Sequence, residues 1–303
     1  MKQGKVLSGI LLFTIVILCI FFSKQKSTEF FENSNKIPKK IWTYWDNESL
    51  PDVVEKCIQT WRKHNPEYTV IVLNKNNLKE YLPDIDFTKI KHITDSPQKY
   101  SDMVRLHTLS KYGGIWSDAS IICLKSYDTW IPVLQEENNC DFIGFYIERF
   151  TLSEYKEYSP VIENWFFACS DNCIFVKDWL NEFLRINEFE TVDEYVDLVV
   201  KEGVNIQNIS GPVYLSMHVA CQKILQQGPN KPYTFGLLKA EDTAFKYLTQ
   251  NNWETNKAIQ NLLDCKNEKT EMNCDFFNSP IIKLRGNDRA ELEKENYNIL
   301  FSG

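Results

Sequence analysis

The sequence has no surplus of positive charge. Thirty-four Lys and Arg stand against 41 Asp and Glu, a formal net charge of −7. No basic run interrupts that balance, and a protein that grips a phosphate backbone needs one; nucleic acid is therefore not an expected partner. Internal repeats, low-complexity stretches and an interdomain linker are absent too, which argues against a fibrous or disordered chain and for one domain over about 37–303. Histidine is scarce. His64, His92, His107 and His218 are scattered, and no second Cys or His pair stands beside Cys169 and Cys173, four residues apart, to complete a zinc site.

One stretch lacks charge altogether. Residues 6–22 read V-L-S-G-I-L-L-F-T-I-V-I-L-C-I-F-F, at the short end of the roughly 17–25 residues that cross a bilayer as a helix. No polar stripe marks a buried core helix, and Phe21-Phe22-Ser23-Lys24 is a poor match to the small residues of a cleavage site, although a cleaved signal remains an alternative. The expectation is a short N-terminus at 1–5, a single-pass anchor at 6–23 and a polar stem at 24–36. Lys2 and Lys5 lean towards a cytoplasmic N-terminus, placing the rest on the far side of the membrane, as in a type II protein of a Golgi- or ER-like lumen. Eight cysteines follow the anchor, an even number that permits disulfides there, and Cys265 with Cys274 can close a short loop. Asn47-Glu48-Ser49 and Asn208-Ile209-Ser210 are glycosylation sequons.

What is present points to a globular α/β chain. Hydrophobic residues make up 43%, and 19 Phe, 14 Tyr and 8 Trp supply bulk for a core. The run 37–45 is β-rich, 53–64 has apolar residues at helical spacing, and 68–73 is β-branched; strand, helix, strand in that order predicts a parallel βαβ unit. Ser101-Asp102 offers an N-cap for a helix over 103–112, which Gly113-Gly114 ends. The apolar run 115–124 then predicts one buried central strand, broken in character only around Asp118. Strands are expected at 142–145 and 165–168, and helices at 175–189, 192–201 and 213–225.

Asp118 stands out on physical grounds. A carboxylate within an apolar strand costs several kcal/mol to bury unless a cation or an ion pair compensates it. In open α/β sheets the ligand crevice lies beyond the carboxyl ends of the strands. An Asp there meets either a metal–phosphate ligand or a buried Arg, and the residue alone does not choose.

The surrounding residues narrow the choice. Tyr100-Ser101-Asp102-Met103-Val104-Arg105, followed by Tyr112-Gly113-Gly114-Ile115-Trp116-Ser117-Asp118, resembles the signature of the DXD sugar-transferase family, which covers capsular polysaccharide synthesis proteins and glycosyltransferase family 32. Ile37-Pro38-Lys39-Lys40-Ile41-Trp42-Thr43-Tyr44-Trp45 is similar to that family's first strand. The resemblance implies a GT-A-type, Rossmann-like nucleotide-sugar transferase domain. Its partners would be a nucleotide-sugar donor and a glycan, polysaccharide or glycoconjugate acceptor. By the same resemblance, Tyr44 and Trp45 would offer aromatic faces to the nucleotide, Asp102 and Arg105 would hold donor sugar and phosphates, and Gly113 and Gly114 would allow a close turn into the strand. Asp118 and position 120 would hold a divalent cation, Mn²⁺ or Mg²⁺. Here position 120 is Ser120 rather than a second Asp, and hydroxyl is a far poorer ligand than carboxylate. His218 and Asp288 are candidates by residue type to complete a cation's shell. The leading expectation is a membrane-anchored glycosyltransferase; the missing Asp keeps open a catalytically inactive glycan- or nucleotide-sugar-binding protein on the same fold.

Overall fold

A computed structural model of the protein describes residues 36–228, 233–267 and 273–302. The anchor and stem expected at 6–36 lie, but for Lys36, outside the described residues. Among the described residues no helix is long and apolar enough to cross a membrane.

The chain opens as its periodicity predicts. Strand β1 (Lys40–Tyr44) and β2 (Thr69–Leu73) pair in parallel across helix α1 (Asp52–His64). Helix α1 carries Asp52 and Glu55 in its first turn and Arg62, Lys63 and His64 in its last, matching the sign of the helix dipole at each end. Its face of Val53, Val54, Cys57, Ile58 and Trp61 is buried. Trp61 also donates its indole N–H to the Ile121 carbonyl at 2.7 Å, fastening the helix to the chain that follows the site.

Helix α2 (Pro97–Tyr112) begins earlier than expected. Ser96, not Ser101, is the N-cap: its hydroxyl accepts from the Lys99 N–H, and Pro97 supplies a preset first turn. Asp102 and Arg105 consequently lie within the helix, on its buried side, rather than at its start. Gly113 ends the helix at φ +58°, and Gly114 follows at φ +95°. A Cβ on Gly113 would stand 2.5 Å from the Asp171 nitrogen, and one on Gly114 2.7 Å from the Lys40 carbonyl oxygen. Both positions therefore need glycine for backbone conformation and for close approach.

The expected strand over 115–124 is two strands. β3 (Gly114–Ser117) sits between β1, its parallel neighbour, and β6 (Ile162–Cys169), its antiparallel one. The chain then bends through Asp118, where the Ile121 N–H donates to the Asp118 carbonyl at 3.0 Å. It continues as β4 (Ile121–Cys123), which pairs antiparallel with β8 (Ile281–Lys283) in a separate two-stranded sheet. Apolarity does not distinguish one long buried strand from two short ones, because both halves are buried.

The main sheet has the order β2-β1-β3-β6-β5-β7, with β5 at Phe142–Tyr146 and β7 at Phe235–Lys239. It is mixed rather than wholly parallel: β6 runs antiparallel to both neighbours, while β5 and β7 are parallel. Aromatic side chains fill the region where β5 and β6 meet helix α3 (Ile174–Leu184). Phe142, Phe167, Phe175 and Trp179 are all buried there with ring centroids 4.8–5.6 Å apart. Helix α4 (Val192–Lys201) matches its expected span, and α5 (Ser216–Gln226) starts three residues after the expected one. Cys265 and Cys274 form a disulfide, and the six other cysteines among the described residues are buried thiols.

The two-glycine turn makes a direct prediction. Gly113→Ala forces a Cβ into the 170–171 backbone at a φ that L-residues avoid, so it should cost about 2 kcal/mol or more and lower the melting temperature by roughly 5 °C. Thermal unfolding followed by circular dichroism checks this; an unchanged midpoint would show that the turn relaxes.

Candidate active site

The site gathers at the carboxyl end of β3, where the chain leaves the sheet. The Asp118 N–H donates to the Trp165 carbonyl at 2.8 Å, fixing the bend against β6. The Asp118 side chain keeps 25% of its surface exposed, whereas its partners are nearly buried. One carboxylate oxygen, Oδ1, accepts from the Trp116 indole at 3.1 Å and from Arg105 at 3.2 Å; the other, Oδ2, accepts from the Lys283 ammonium at 2.8 Å. Arg105 reaches it from α2, three residues beyond Asp102, with which it pairs at 3.1 Å. The same guanidinium donates to the Asn164 carbonyl at 2.7 Å and to the Ser101 hydroxyl at 3.3 Å, and lies 5.2 Å from the Trp116 ring centre. The Asn164 amide in turn donates to Asp102 at 3.0 Å.

Helical spacing alone would make Asp102 and Arg105 a surface pair worth a few tenths of a kcal/mol. At 6% and 4% exposure they are instead the interior half of an ion network. Nearly every Arg105 N–H is spent on protein oxygens, and its Nε is buried without a hydrogen-bond partner. Arg105 therefore acts chiefly by holding the two carboxylates.

Those carboxylates titrate in opposite directions. Burial pushes Asp102 up to about 6, against the opposing pull of Arg105 and His218, with the Asp118 charge adding to the rise. Burial also works to raise Asp118, but Lys283 and Arg105 more than offset it and hold the carboxyl below its ordinary range. Two acids beside one arginine are thus shifted in opposite directions, Asp102 towards its protonated form and Asp118 towards its ionised form.

The structure brings together Asp102, Arg105, Asp118 and Ser120. Gly113 and Gly114 lie at the opposite end of β3 from Asp118, so their part is the turn and not a contact with the cluster. Tyr44 is 5% exposed; its ring stacks on Tyr100 of α2 at 5.3 Å, and its hydroxyl donates to Asp46 at 2.8 Å. Trp45 is partly exposed beneath the Arg289 guanidinium, 5.3 Å away. Asp288 is not a ligand in waiting. Its carboxylate is fully buried and accepts from Arg285 and Tyr247 at 2.8 Å, capping the short helix α6 (Gly286–Leu292). His218 faces Glu163 at 3.5 Å.

Sequence reasoning assigned no role to Lys283, Asn164, Trp116 or Tyr214. Tyr214 is 57% exposed, and burial together with the charges of Asp102 and Asp118 raises its hydroxyl's pKa. Trp116 carried a usable signal, since it sits two residues from Asp118 and so on the same strand face. Pro280-Ile281-Ile282-Lys283-Leu284 bears a faint resemblance to the DXD sugar-transferase family, but nothing along the chain ties Lys283 to Asp118, 165 residues away.

The expected divalent-cation pair does not fit a metal as arranged. Ser120 donates its hydroxyl to the Leu284 carbonyl at 2.8 Å and accepts from Lys283 at 3.0 Å. Both Asp118 oxygens are occupied by cationic or indole donors. Among the described residues no group of three or more His, Cys, Asp or Glu gathers as a ligand set.

The raised Asp102 pKa fixes the sign of a pH effect. The folded state holds the proton more tightly than the unfolded chain, whose aspartates titrate near about 3.9. This stability is present in full below about pH 4 and is lost as pH rises through about 6. Asp102→Asn should remove up to ~2 kcal/mol of that slope between pH 4 and 6, measured by denaturant titrations at several pH values; a slope identical to wild type would place the effect elsewhere.

Comparison with known proteins agrees with the motif. The capsular polysaccharide synthesis protein family matches residues 5–199. An O-glycosyltransferase, braB, from Annulohypoxylon truncatum is 29% identical over 163 residues, 49% of this chain and 37% of that protein. The initiation-specific alpha-1,6-mannosyltransferase of Candida albicans is 28% identical over 136 residues, 40% of this chain and 35% of that one. The chain thus spans little more than a third of the length of these relatives. Among solved structures, the UDP-bound glycosyltransferase domain from the YGT toxin covers 86% of this chain and 89% of its own at 12% identity, with a TM-score of 0.39. A match running from residue 5 to residue 199 takes in well over half of the sequence and the whole of the Asp102–Asp118 motif, and the chain belongs to the capsular polysaccharide synthesis protein family.

Proposed function

We propose that the protein is a glycosyltransferase that moves a sugar from a nucleoside-diphosphate donor to a hydroxyl of a glycan, polysaccharide or glycoconjugate. In this reaction the bond between the anomeric carbon and the diphosphate oxygen breaks. A bond to the acceptor oxygen forms, and the acceptor proton departs. The carrying observation is the partly exposed Asp118 at the carboxyl end of β3, its carboxyl held below the ordinary range by Lys283 and Arg105, in a chain whose curated relatives are glycosyltransferases. Asp118 faces the donor, where it orients hydroxyl groups of the sugar or ribose. Asp102 and Arg105 hold its position and tune the local charge. Trp45, just after β1, supplies aromatic surface for the base; Tyr44, expected to share that role, is instead buried with its ring stacked on Tyr100.

The proposed partition places the catalytic region at 37–303, which clusters as one compact unit. The uncharged run 6–22 anchors it to a membrane, with the catalytic region on the lumenal side. Ser120 favours a second reading, a protein that binds a nucleotide sugar without transferring it, because the position lacks a carboxylate.

A panel of nucleotide sugars incubated with the purified chain separates the two readings: transfer or donor hydrolysis supports the first, binding alone the second. Asp118→Asn should lower turnover per folded molecule by about a hundredfold or more. Arg105→Ala should cost ~3 kcal/mol of stability, because it takes an ion pair from the buried Asp102 and leaves Asp118 with Lys283 as its paired cation. Turnover that survives Asp118→Asn would remove Asp118 from the reaction.

A further inference from the structure

The place where the sequence leads one to look for a metal ion is taken by a side chain. Lys283 extends its ammonium between Asp118 Oδ2, at 2.8 Å, and Ser120 Oγ, at 3.0 Å, bridging the first and third residues of the Asp118-Ala119-Ser120 bend. The Lys283 residue is 8% exposed, so this is a built contact and not a surface pairing. Its backbone is clamped on several sides. Lys283 pairs with Ile121 in the β4–β8 ladder, its N–H donates to the Ala244 carbonyl at 3.1 Å, and its carbonyl accepts from Tyr247 at 2.9 Å. One residue on, the Leu284 N–H donates to the Ser120 carbonyl at 3.0 Å, while the Leu284 carbonyl accepts from the Ser120 hydroxyl. The bend and the strand bearing the lysine therefore hold each other in register.

The charges balance without an ion. At the bend Asp118 brings one negative charge, Ser120 none and Lys283 one positive charge. Behind it Arg105 also pairs with Asp118 and is itself paired with Asp102, so the four charged groups sum to zero when both acids are ionised. A second carboxylate at position 120 would call for a further positive charge; a hydroxyl does not. An ammonium also has three N–H donors in all. Two point at Asp118 and Ser120, which leaves donor capacity for an oxygen of a bound diphosphate.

We propose that Lys283 is the resident cation of this site: on the reading of the protein as a nucleotide-sugar transferase, its ammonium stabilises the departing nucleoside diphosphate, and this chain binds that diphosphate without a divalent metal. Ser120 is then a fitted partner of the lysine, donating to the strand that carries it and accepting from its head group, rather than a weakened metal ligand.

The test uses the purified full chain with three probes: Mn²⁺ alone, UDP and GDP. Mn²⁺ uptake is read from loss of the free-ion paramagnetic resonance signal, and diphosphate affinity by calorimetry in EDTA and again in Mn²⁺. Wild type should leave Mn²⁺ in solution and bind one of the diphosphates with a Kd that changes less than about twofold between EDTA and Mn²⁺. Lys283→Met keeps the apolar stem and removes the charge, so it should weaken that Kd by roughly ten- to a hundredfold. Adding Ser120→Asp to it should create Mn²⁺ uptake and restore binding only when Mn²⁺ is supplied. Thermal melts establish that each variant folds, and the wild-type measurements stand without any variant. Stoichiometric Mn²⁺ uptake by wild type, or diphosphate binding that disappears in EDTA, would overturn the role of Lys283 while leaving the nucleotide-sugar reading intact. Failure of wild type to bind either diphosphate under both conditions would overturn the two together.

Discussion

The structure around the site depends on one constraint: Asp118, at the end of a buried strand, must be neutralised from inside the protein. Two cations do this, each from a different part of the chain. Arg105 comes from the helix just before the strand, and Lys283 from a strand 165 residues later. Desolvating a carboxylate in such a place is tolerated only if paired charges and hydrogen bonds replace the lost water. The pairing therefore welds the C-terminal segment to the bend that follows β3. Removing Arg105 takes an ion pair from the buried Asp102 and leaves Asp118 with Lys283, so stability and site geometry are coupled here.

The same network sorts its acids. Asp102 and Asp118 share Arg105, but Asp118 also pairs with Lys283 at 2.8 Å, and it is the more exposed of the two. Burial consequently wins at Asp102 and charge wins at Asp118. One arginine thus organises two carboxylates with different protonation behaviour near neutral pH. His218 adds to the field that acts on Asp102, and its own close neighbour is Glu163.

Backbone geometry delivers these side chains to one place. Gly113 and Gly114 let α2 turn directly into β3 with the β1 backbone pressed close, which sets the helix beside the strand it serves. The bend at Asp118 then moves the chain from the main sheet to the β4–β8 pair. The bend is what exposes a carboxylate at the end of an otherwise apolar run. Trp61, donating from α1 to Ile121, and Trp116, donating to Asp118 itself, brace the two sides of it.

Much of this was legible in the sequence, because it depends on local order. The parallel β1–α1–β2 unit follows from hydrophobic period, the end of α2 from Gly113, and the grouping of Asp102, Arg105 and Asp118 from the resemblance of their motif to the family's signature. The Cys265–Cys274 bridge follows from proximity in the chain. What the sequence left undecided depended on distant contacts. The run 115–124 divides into two strands because β8 arrives to pair with its second half. Asp102 and Arg105 are buried because β6 covers them with Asn164; the earlier start of α2 is by contrast local, since Pro97 after Ser96 presets the first turn. Residue order alone determined that a carboxylate would stand within a buried apolar run and need a cation or a buried ion pair. Only tertiary structure decided which cation: Lys283 reaches Asp118 through strand pairing across 165 residues, and no local periodicity encodes a contact of that range.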